Sequence, residues 1–195
     1  MTFLKNTLSN EWNELALGTK SAKHPFHQFV FTNVKNDSPE SRTVVLRNVS
    51  EATRIIEFNT DNRSPKYSDL ITNNNISALF YDHIRKVQLR FNGKANILKD
   101  ETEKLTIWNK LTRESKICYM GDFKPSTNLN IYKPNIPSKK ITELSNDEYL
   151  SGFKNFARIQ ISILKLDWLL LHSNGHKRIK YEWINGKQFE NWIAT

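Results

Sequence analysis

The segment that decides the fold reads Val87-Gln88-Leu89-Arg90-Phe91-Asn92-Gly93-Lys94-Ala95-Asn96-Ile97. Apolar or small residues occupy every odd position, and polar residues occupy every even one. Because the side chains of a β-strand point alternately to its two faces, this pattern predicts a long strand with one buried face. Gly93 in its middle predicts a bend or bulge, as needed where a sheet curls into a barrel.

More strand patterns lie on both sides of this segment. An extended stretch is expected at 26–34, and strands are predicted over 42–48, 54–59, 76–81, 158–171, 177–184 and 187–193. The dipeptide Asn185-Gly186 between the last two is typical of a two-residue β-hairpin turn. Together with 87–97 these segments give roughly seven strands, which predicts an all-antiparallel arrangement rather than a nucleotide-binding βαβ fold.

Helices are predicted to pack outside the strands. Residues 1–20 carry apolar side chains at helical spacing, Asp100 can cap a helix in the middle of the chain, and Ser145 with Glu148 forms a capping box for another. The expected fold class is therefore mainly β with helices (α+β), a closed or split antiparallel β-barrel with peripheral α-helices. A Pro-containing loop is expected at 121–140.

Composition bounds the domain count and the compartment. The chain has 195 residues, of which 38% are hydrophobic, and eleven Phe, six Tyr and five Trp can fill a core. We expect one domain over residues 1–195. No apolar run approaches the roughly 18 residues of a membrane span, and the first residues lack a signal-peptide core. Cys118 is the only cysteine, so we expect a cytoplasmic protein without a disulfide or a metal site.

A formal net charge of +9 raises the possibility of a nucleic-acid partner. The basic residues are, however, spread along the chain, and the polar face of 87–97 has no aromatic side chains on which bases could stack. A solvated basic surface is the favoured interpretation, and nucleic-acid binding is the less favoured one.

Two neighbouring segments point to a phosphorylated ligand. Residues 42–47 read Arg-Thr-Val-Val-Leu-Arg, a strand with a cation at each end. Ser64-Pro65 is a good helix start, flanked by Arg63 and Lys66, and the first turn of a helix attracts anions. The alternatives are an edge strand with two solvated arginines and an ordinary capped surface helix.

These motifs, in order along residues 25–195, resemble the pyridoxamine 5'-phosphate oxidase-related family of FMN-binding split-barrel proteins. Residues 42–47 correspond to that family's Arg-x-Val-Leu-Leu-Lys, and residues 58–66 to its Phe-Tyr-Thr-Asn-x-x-Ser-Arg-Lys. Residues 88–93 correspond to its Gln-Val-Arg-x-x-Gly. Trp168 stands eight residues before the His of residues 176–178, as a Trp does before the family's His-x-Arg.

The resemblance implies that FMN is the cofactor and that a homodimer holds it at the subunit interface. It assigns the phosphate, ribityl and ring contacts within one subunit, and further contacts from the second subunit. The implied cofactor residues of one subunit are Arg42, Thr43, Val44, Val45, Arg47, Asn59, Thr60, Ser64 and Lys66. Those implied from the second subunit are Gln88, Trp168 and Arg178.

Departures from the family pattern fall in the phosphate segment. Pro65 replaces a phosphate-binding Arg, and Arg63 is a candidate substitute. Asn59 replaces a Tyr, and a Gln-Ser pair of the family falls on Lys124-Pro125.

The family's substrate site is changed further. Ile107 and Leu111 stand where its Tyr and Arg bind the substrate phosphate, which leaves Arg47, Ser115 and His176 as substrate candidates. We therefore predict a divergent flavin oxidoreductase acting on an unidentified small molecule, and not the vitamin oxidase itself. A non-catalytic FMN sensor or carrier is the alternative.

Overall fold

The computed structural model describes residues 3–195, so Met1 and Thr2 of the predicted helix at 1–20 lie outside the described residues. Within 3–195 the chain forms five α-helices, eight strands and two single-turn 3-10 helices at Pro25–His27 and Ile141–Glu143. The helices are α1 (Phe3–Lys20), α2 (Pro65–Thr72), α3 (Glu101–Asn109), α4 (Arg113–Ile117) and α5 (Asn146–Phe153). The strands are β1 (Gln28–Lys35), β2 (Ser38–Ser50), β3 (Ile55–Asp61), β4 (Asn75–Asp82), β5 (Val87–Ile97), β6 (Phe156–Leu170), β7 (Lys177–Ile184) and β8 (Lys187–Trp192).

All eight strands belong to one antiparallel sheet in the order β3-β2-β1-β4-β5-β6-β7-β8. A further pairing of β3 with β6 closes six of them into a barrel, and β7 and β8 extend the sheet beyond it. The predicted split antiparallel barrel with peripheral helices is confirmed. None of the described helices combines the length and the apolar composition that a membrane crossing requires.

Strand β5 has the alternation that its sequence predicts. Val87, Leu89 and Phe91 are buried, while the residues between them are partly or fully exposed. The register against β6 shifts between Asn92 and Gly93, so the predicted bulge is present. A Cβ atom at Gly93 would lie 2.2 Å from the Ser162 carbonyl oxygen, which explains why glycine is required there.

Aromatic side chains fill the barrel. Phe29 stacks on Phe80 with ring centroids 4.6 Å apart, and Phe31 lies against Phe58 at 4.8 Å. Helix α1 contributes its buried apolar residues, including Trp12, to the same cluster. The core is therefore shared between the inner face of the sheet and one amphipathic helix.

Local signals for helix ends and turns are mostly confirmed. The Asp100 carboxylate accepts the first-turn N–H groups of α3, and Ser145 with Glu148 forms the predicted capping box. Asn185 and Gly186 both have positive φ angles, as a two-residue hairpin requires. Helix α1 ends at Lys20, where the predicted N-terminal helix also ends.

Replacing Gly93 with alanine is expected to lower the free energy of unfolding by about 1–3 kcal/mol, because the new Cβ forces β5 away from the β6 backbone. Urea denaturation followed by circular dichroism measures the change. The matched control is Asn92→Ala on the exposed face of the same strand, which is expected to change the free energy by less than about 0.5 kcal/mol. Equal stability of the two variants would contradict the prediction.

Candidate functional site

The site begins where strand β2 separates from strand β3. Strand β2 pairs with β1 along residues 38–45, but it pairs with β3 only from Leu46 to Ser50. Arg47 is the extra residue of a β-bulge at this point, because Leu46 faces Phe58 and Asn48 faces the adjacent Glu57. The last residues of β3, 59–61, pair with β6 instead.

This separation leaves one edge of β2 open at residues 42–45, whose described strand partner is β1 alone. Alternate residues of an unpaired strand edge present N–H and C=O groups that need partners. Such an edge can hydrogen-bond the polar rim of a planar ring. The bulge at Arg47 also turns that side chain away from the regular strand alternation.

A cleft of about 340 Å³, here called the first cleft, lies along this open edge. Every predicted cofactor residue between 42 and 66 except Ser64 lines it. Its lining residues are Arg42, Thr43, Val44, Val45, Arg47, Asn59, Thr60, Asp61, Lys66, Cys118 and Tyr119. The fold thus brings the two sequence segments together as walls of one cleft.

Two neighbouring cations, Arg42 and Lys66, line the first cleft. The Lys66 ammonium donates to the Thr60 hydroxyl at 3.1 Å, and burial together with repulsion from Arg42 lowers the pKa of Lys66. Burial also lowers the pKa of Arg42, which donates to the Asn33 amide oxygen and to the Glu40 carbonyl oxygen. Partly desolvated positive charge of this kind suits a dianionic phosphate.

Ser64 occupies the position before α2, but its hydroxyl does not cap the helix, contrary to the sequence prediction. The hydroxyl is buried and donates to the Asp61 carbonyl oxygen at 2.6 Å. Asp61 lies three residues before Ser64, and the turn that precedes the helix brings its carbonyl oxygen within hydrogen-bond distance of the Ser64 hydroxyl. The N–H groups of the first turn of α2 therefore have no cap from this side chain.

Arg63 does not line the first cleft. Its guanidinium makes a 2.7 Å ion pair with Asp61 and donates to the Gly121 carbonyl oxygen at 2.8 Å. The hydrogen bonds to Asp61 raise the pKa of Arg63. These contacts direct Arg63 toward the 121–140 loop. Arg63, the candidate substitute for the family arginine, is therefore already bonded to Asp61 and Gly121.

Three lining residues were missed by sequence reasoning, namely Asp61, Cys118 and Tyr119. Cys118 is an exposed free thiol. The Tyr119 ring packs edge-on against Phe156 at 5.2 Å, and burial raises the pKa of its hydroxyl. No local pattern marks Cys118 and Tyr119, because the packing of α4 against α5 brings them to the cleft, whereas Asp61 directly follows Thr60 at the end of β3.

A second cleft of about 400 Å³ adjoins the first and shares Arg47 and Asn59 with it. The rest of its lining is Asn48, Glu57, Glu103, Ile107, Lys110, Leu111 and Arg158. Ile107 and Leu111, the apolar replacements in the substrate segment, therefore lie beside Arg47. Of the other substrate candidates, Ser115 bonds with Thr112 and His176 with His172, and neither lines this cleft.

The residues predicted to reach the cofactor from the second subunit lie away from the first cleft of their own protomer. Trp168 is ten residues along β6 from Arg158, about 33 Å on an extended strand. The Trp168 indole is 4% exposed and donates to Glu11 at 3.1 Å, whereas Arg178 pairs with Asp167 at 2.7 Å. Gln88 lies on the neighbouring strand β5. One protomer does not bring these side chains to the first cleft, so their roles stay predictions.

Comparisons with known proteins agree with this geometry. Residues 7–99, which include both walls of the first cleft, match the family model "Pyridoxamine 5'-phosphate oxidase, FMN-binding domain". A search of curated proteins gave no match.

Solved structures share the fold at low identity. A pyridoxamine 5'-phosphate oxidase-related, FMN-binding protein from Nostoc punctiforme superimposes with a TM-score of 0.77 at 18% identity, covering 100% of this chain and 99% of that one. PhzG from Burkholderia lata, in complex with tetrahydrophenazine-1-carboxylic acid, gives a TM-score of 0.71 at 16% identity, covering 98% and 92%. A protein related to general stress protein 26 from Clostridium acetobutylicum gives 0.53 at 15%, covering 96% and 95%.

Fold and cleft together define a split-barrel protein with a site suited to a phosphorylated, planar ligand. The resemblance of the chain to the pyridoxamine 5'-phosphate oxidase-related FMN-binding split-barrel family is confirmed by the match over residues 7–99 and by the shared fold.

Because Arg42 repels the Lys66 ammonium, the change Arg42→Ala is expected to raise the pKa of Lys66, which burial still holds below the ordinary lysine value. The titration of the Lys66 ¹³Cε chemical shift in ligand-free protein measures this pKa. Arg113→Ala, which removes a guanidinium outside both clefts, serves as the control and should leave the pKa unchanged. A pKa that falls or stays constant in Arg42→Ala would show that the two cations do not interact.

Proposed function

We propose that the protein binds FMN in the first cleft and acts as an FMN-dependent oxidoreductase on a small molecule. The observation that carries the proposal is the pair of cations, Arg42 and Lys66, at one end of a cleft whose wall is the open edge of β2. The match to an FMN-binding domain over the same residues supports flavin as the ligand.

In this proposal the phosphate binds between Arg42, Lys66 and the first turn of α2. The two cations supply charge-assisted hydrogen bonds, and the backbone N–H of Lys66, which is the first of α2 because Pro65 has none, supplies another. Thr60 holds the Lys66 ammonium at 3.1 Å and so orients it toward the phosphate. Pro65 has no N–H group to donate. Arg42 and Lys66 therefore contribute a larger share of the phosphate binding than in the family pattern.

The ring of the flavin would lie along residues 43–45, where the free backbone groups of β2 can bond its polar edge. Bound FMN would supply hydride transfer between substrate and ring. The chain contributes a positive charge beside the ring through Arg47, which favours negative charge on a neighbouring group. Val44 and Val45 provide apolar surface that limits access of water.

We further propose a homodimer in which Gln88 and Arg178 reach the flavin of the partner subunit. The motivation is their distance along β5–β7 from the first cleft of their own protomer, together with the family resemblance. Trp168 fits this role less well, because its indole N–H is already bonded to Glu11. A cytoplasmic location remains part of the proposal.

The loss of phosphate-binding side chains at Ile107 and Leu111 supports a substrate other than the vitamin phosphate. An apolar side chain cannot replace the charge-assisted hydrogen bonds that a phosphate requires. We therefore place the protein in a divergent branch of its family.

Purified protein is expected to be yellow and to quench the fluorescence of added FMN on titration. Arg42→Ala should weaken FMN binding at least about tenfold, because a charge-assisted contact is worth roughly 1.5–3 kcal/mol. Arg113→Ala should bind as the unchanged protein does. An FMN affinity that Arg42→Ala leaves intact would contradict the placement of the phosphate, and a colourless protein that does not bind FMN would overturn the proposal.

Catalysis is tested separately from binding. In an oxidoreductase, an electron donor such as NAD(P)H or an organic substrate should reduce the bound flavin, and an added electron acceptor should reoxidise it. Stable FMN binding without any such turnover would favour the alternative of a non-catalytic flavin carrier or sensor.

Complementation between subunits tests the shared site. Arg42→Ala and Arg178→Ala should each bind FMN poorly, while the heterodimer of the two should recover half of the wild-type sites, since one of its two clefts then has both arginines. Co-expression with two affinity tags and FMN counting per dimer measure this recovery. A heterodimer with no recovered site would mean that both arginines serve the same subunit, and normal FMN binding by Arg178→Ala alone would mean that Arg178 has no role.

A further inference from the structure

We propose that the second cleft is the substrate site and that it selects a small, ring-containing monoanion, such as an aromatic carboxylate, over a phosphate ester or a neutral amide. The inference rests on the proposed function, since it takes the first cleft as the flavin site. It is drawn from the charges and contacts of the second cleft itself.

The two clefts share a boundary made of Arg47 and Asn59. A molecule in the second cleft would therefore lie directly against a ligand in the first. This juxtaposition is what transfer between two bound molecules requires, because reacting groups must approach within a few ångströms. Three other clefts, one beside the β1–β2 turn, one along the 121–140 loop and one between α1 and β8, share no lining residue with the first.

The floor of the second cleft is a fixed, charge-paired cluster. The buried Glu57 carboxylate accepts from Asn48 at 3.3 Å and from Gln160 at 2.9 Å, and it lies 3.0 Å from the Arg158 Nε atom. Arg158 also donates through Nη1 to the Asn59 amide oxygen at 2.8 Å. Because Glu57 already has three partners, it offers little to a second cation and repels a close anion.

Arg47 is the exception to this pairing. Its exposed guanidinium makes no hydrogen bond or ion pair with any residue from 3 to 195, although it lines both clefts. At the rim stand two side chains of opposite charge, Lys110 and Glu103. With the Glu57–Arg158 pair neutral, the two cations Arg47 and Lys110 and the one anion Glu103 leave a single positive charge.

That charge decides between classes of anion. A monoanion neutralises the cleft and can take two parallel hydrogen bonds from the planar guanidinium of Arg47, the geometry that guanidinium groups offer to carboxylates. A phosphate dianion would leave net negative charge beside Glu57 and Glu103. A neutral amide would leave Arg47 without a charged partner.

The remaining wall is apolar. Ile107 on α3 and Leu111 just after it are partly buried and border the cleft across from the charged floor. Apolar side chains facing one polar anchor are typical of sites for small ring compounds. Charge and apolar surface together describe a ring with one carboxylate.

Isothermal titration calorimetry of the full chain with benzoate, benzamide and phenyl phosphate tests this selectivity. Benzoate is expected to bind at least about tenfold more tightly than either competitor, because only it satisfies Arg47 without excess charge. Equal affinities, or tighter binding of phenyl phosphate, would overturn the proposal.

Two variants locate the binding. Arg47→Gln should lower benzoate affinity about tenfold and leave benzamide unchanged, and Leu111→Glu should also weaken benzoate by adding a carboxylate to those of Glu57 and Glu103. Arg113→Gln, outside both clefts, is the matched control. Benzoate binding that neither cleft variant changes would refute the assignment.

The calorimetry is done on FMN-loaded protein, so that the cations Arg42 and Lys66 of the first cleft are already occupied, with circular dichroism to verify folding. Failure of FMN to bind in a separate titration would refute the proposed function, whereas loss of carboxylate selectivity with intact FMN binding would refute only the substrate class.

Discussion

The pairing of β3 with β6 is the constraint on which the rest of the structure depends. Strand β3 pairs with β6 along its whole length but with β2 only over residues 55–58. Because β2 and β6 diverge, β3 cannot stay paired with both. Strand β2 therefore bulges at Arg47 and leaves an open edge. That opening provides the wall of the first cleft, and the end of β3 then leads into α2, which carries Lys66 to the same place. The same pairing of β3 with β6 therefore both closes the barrel and forms the first cleft.

Lys66 differs in its electrostatics from the partly or fully buried arginines that pair with carboxylates. Examples of such pairs are Arg63 with Asp61 at 2.7 Å, Arg85 with Glu11 at 3.0 Å and Arg158 with Glu57 at 3.0 Å. Lys66 has only the neutral Thr60 hydroxyl, and no ion pair of Lys66 occurs among residues 3–195. Burying an uncompensated charge costs free energy unless a partner arrives. A cleft that retains such a charge is therefore suited to a ligand that brings the opposite one.

The predictability of each element follows from how local its cause is. The β5 alternation, the Asp100 cap, the Ser145 capping box and the Asn185-Gly186 turn each depend on a few adjacent residues, and all were predicted. The start of β2 was placed four residues late. It begins at Ser38 because Asn36 and Asp37 both adopt positive φ and form a tight hairpin, a turn that lacks the glycine usually taken as its signal. The Ser64 hydroxyl was predicted to cap α2, but it donates instead to the Asp61 carbonyl oxygen.

The sequence by itself determined the strand periodicity, the helix starts and the two segments that form the walls of the first cleft, because residue type and spacing within ten positions specify them. Only the tertiary structure decided that Glu57 meets Arg158, that Arg63 turns to Asp61 and Gly121, that Tyr119 and Cys118 reach the first cleft, and that a second cleft adjoins it. These contacts join parts of the chain that are distant in sequence. They arise from strand register and from helix packing around a closed barrel, and no short stretch of residues encodes either one.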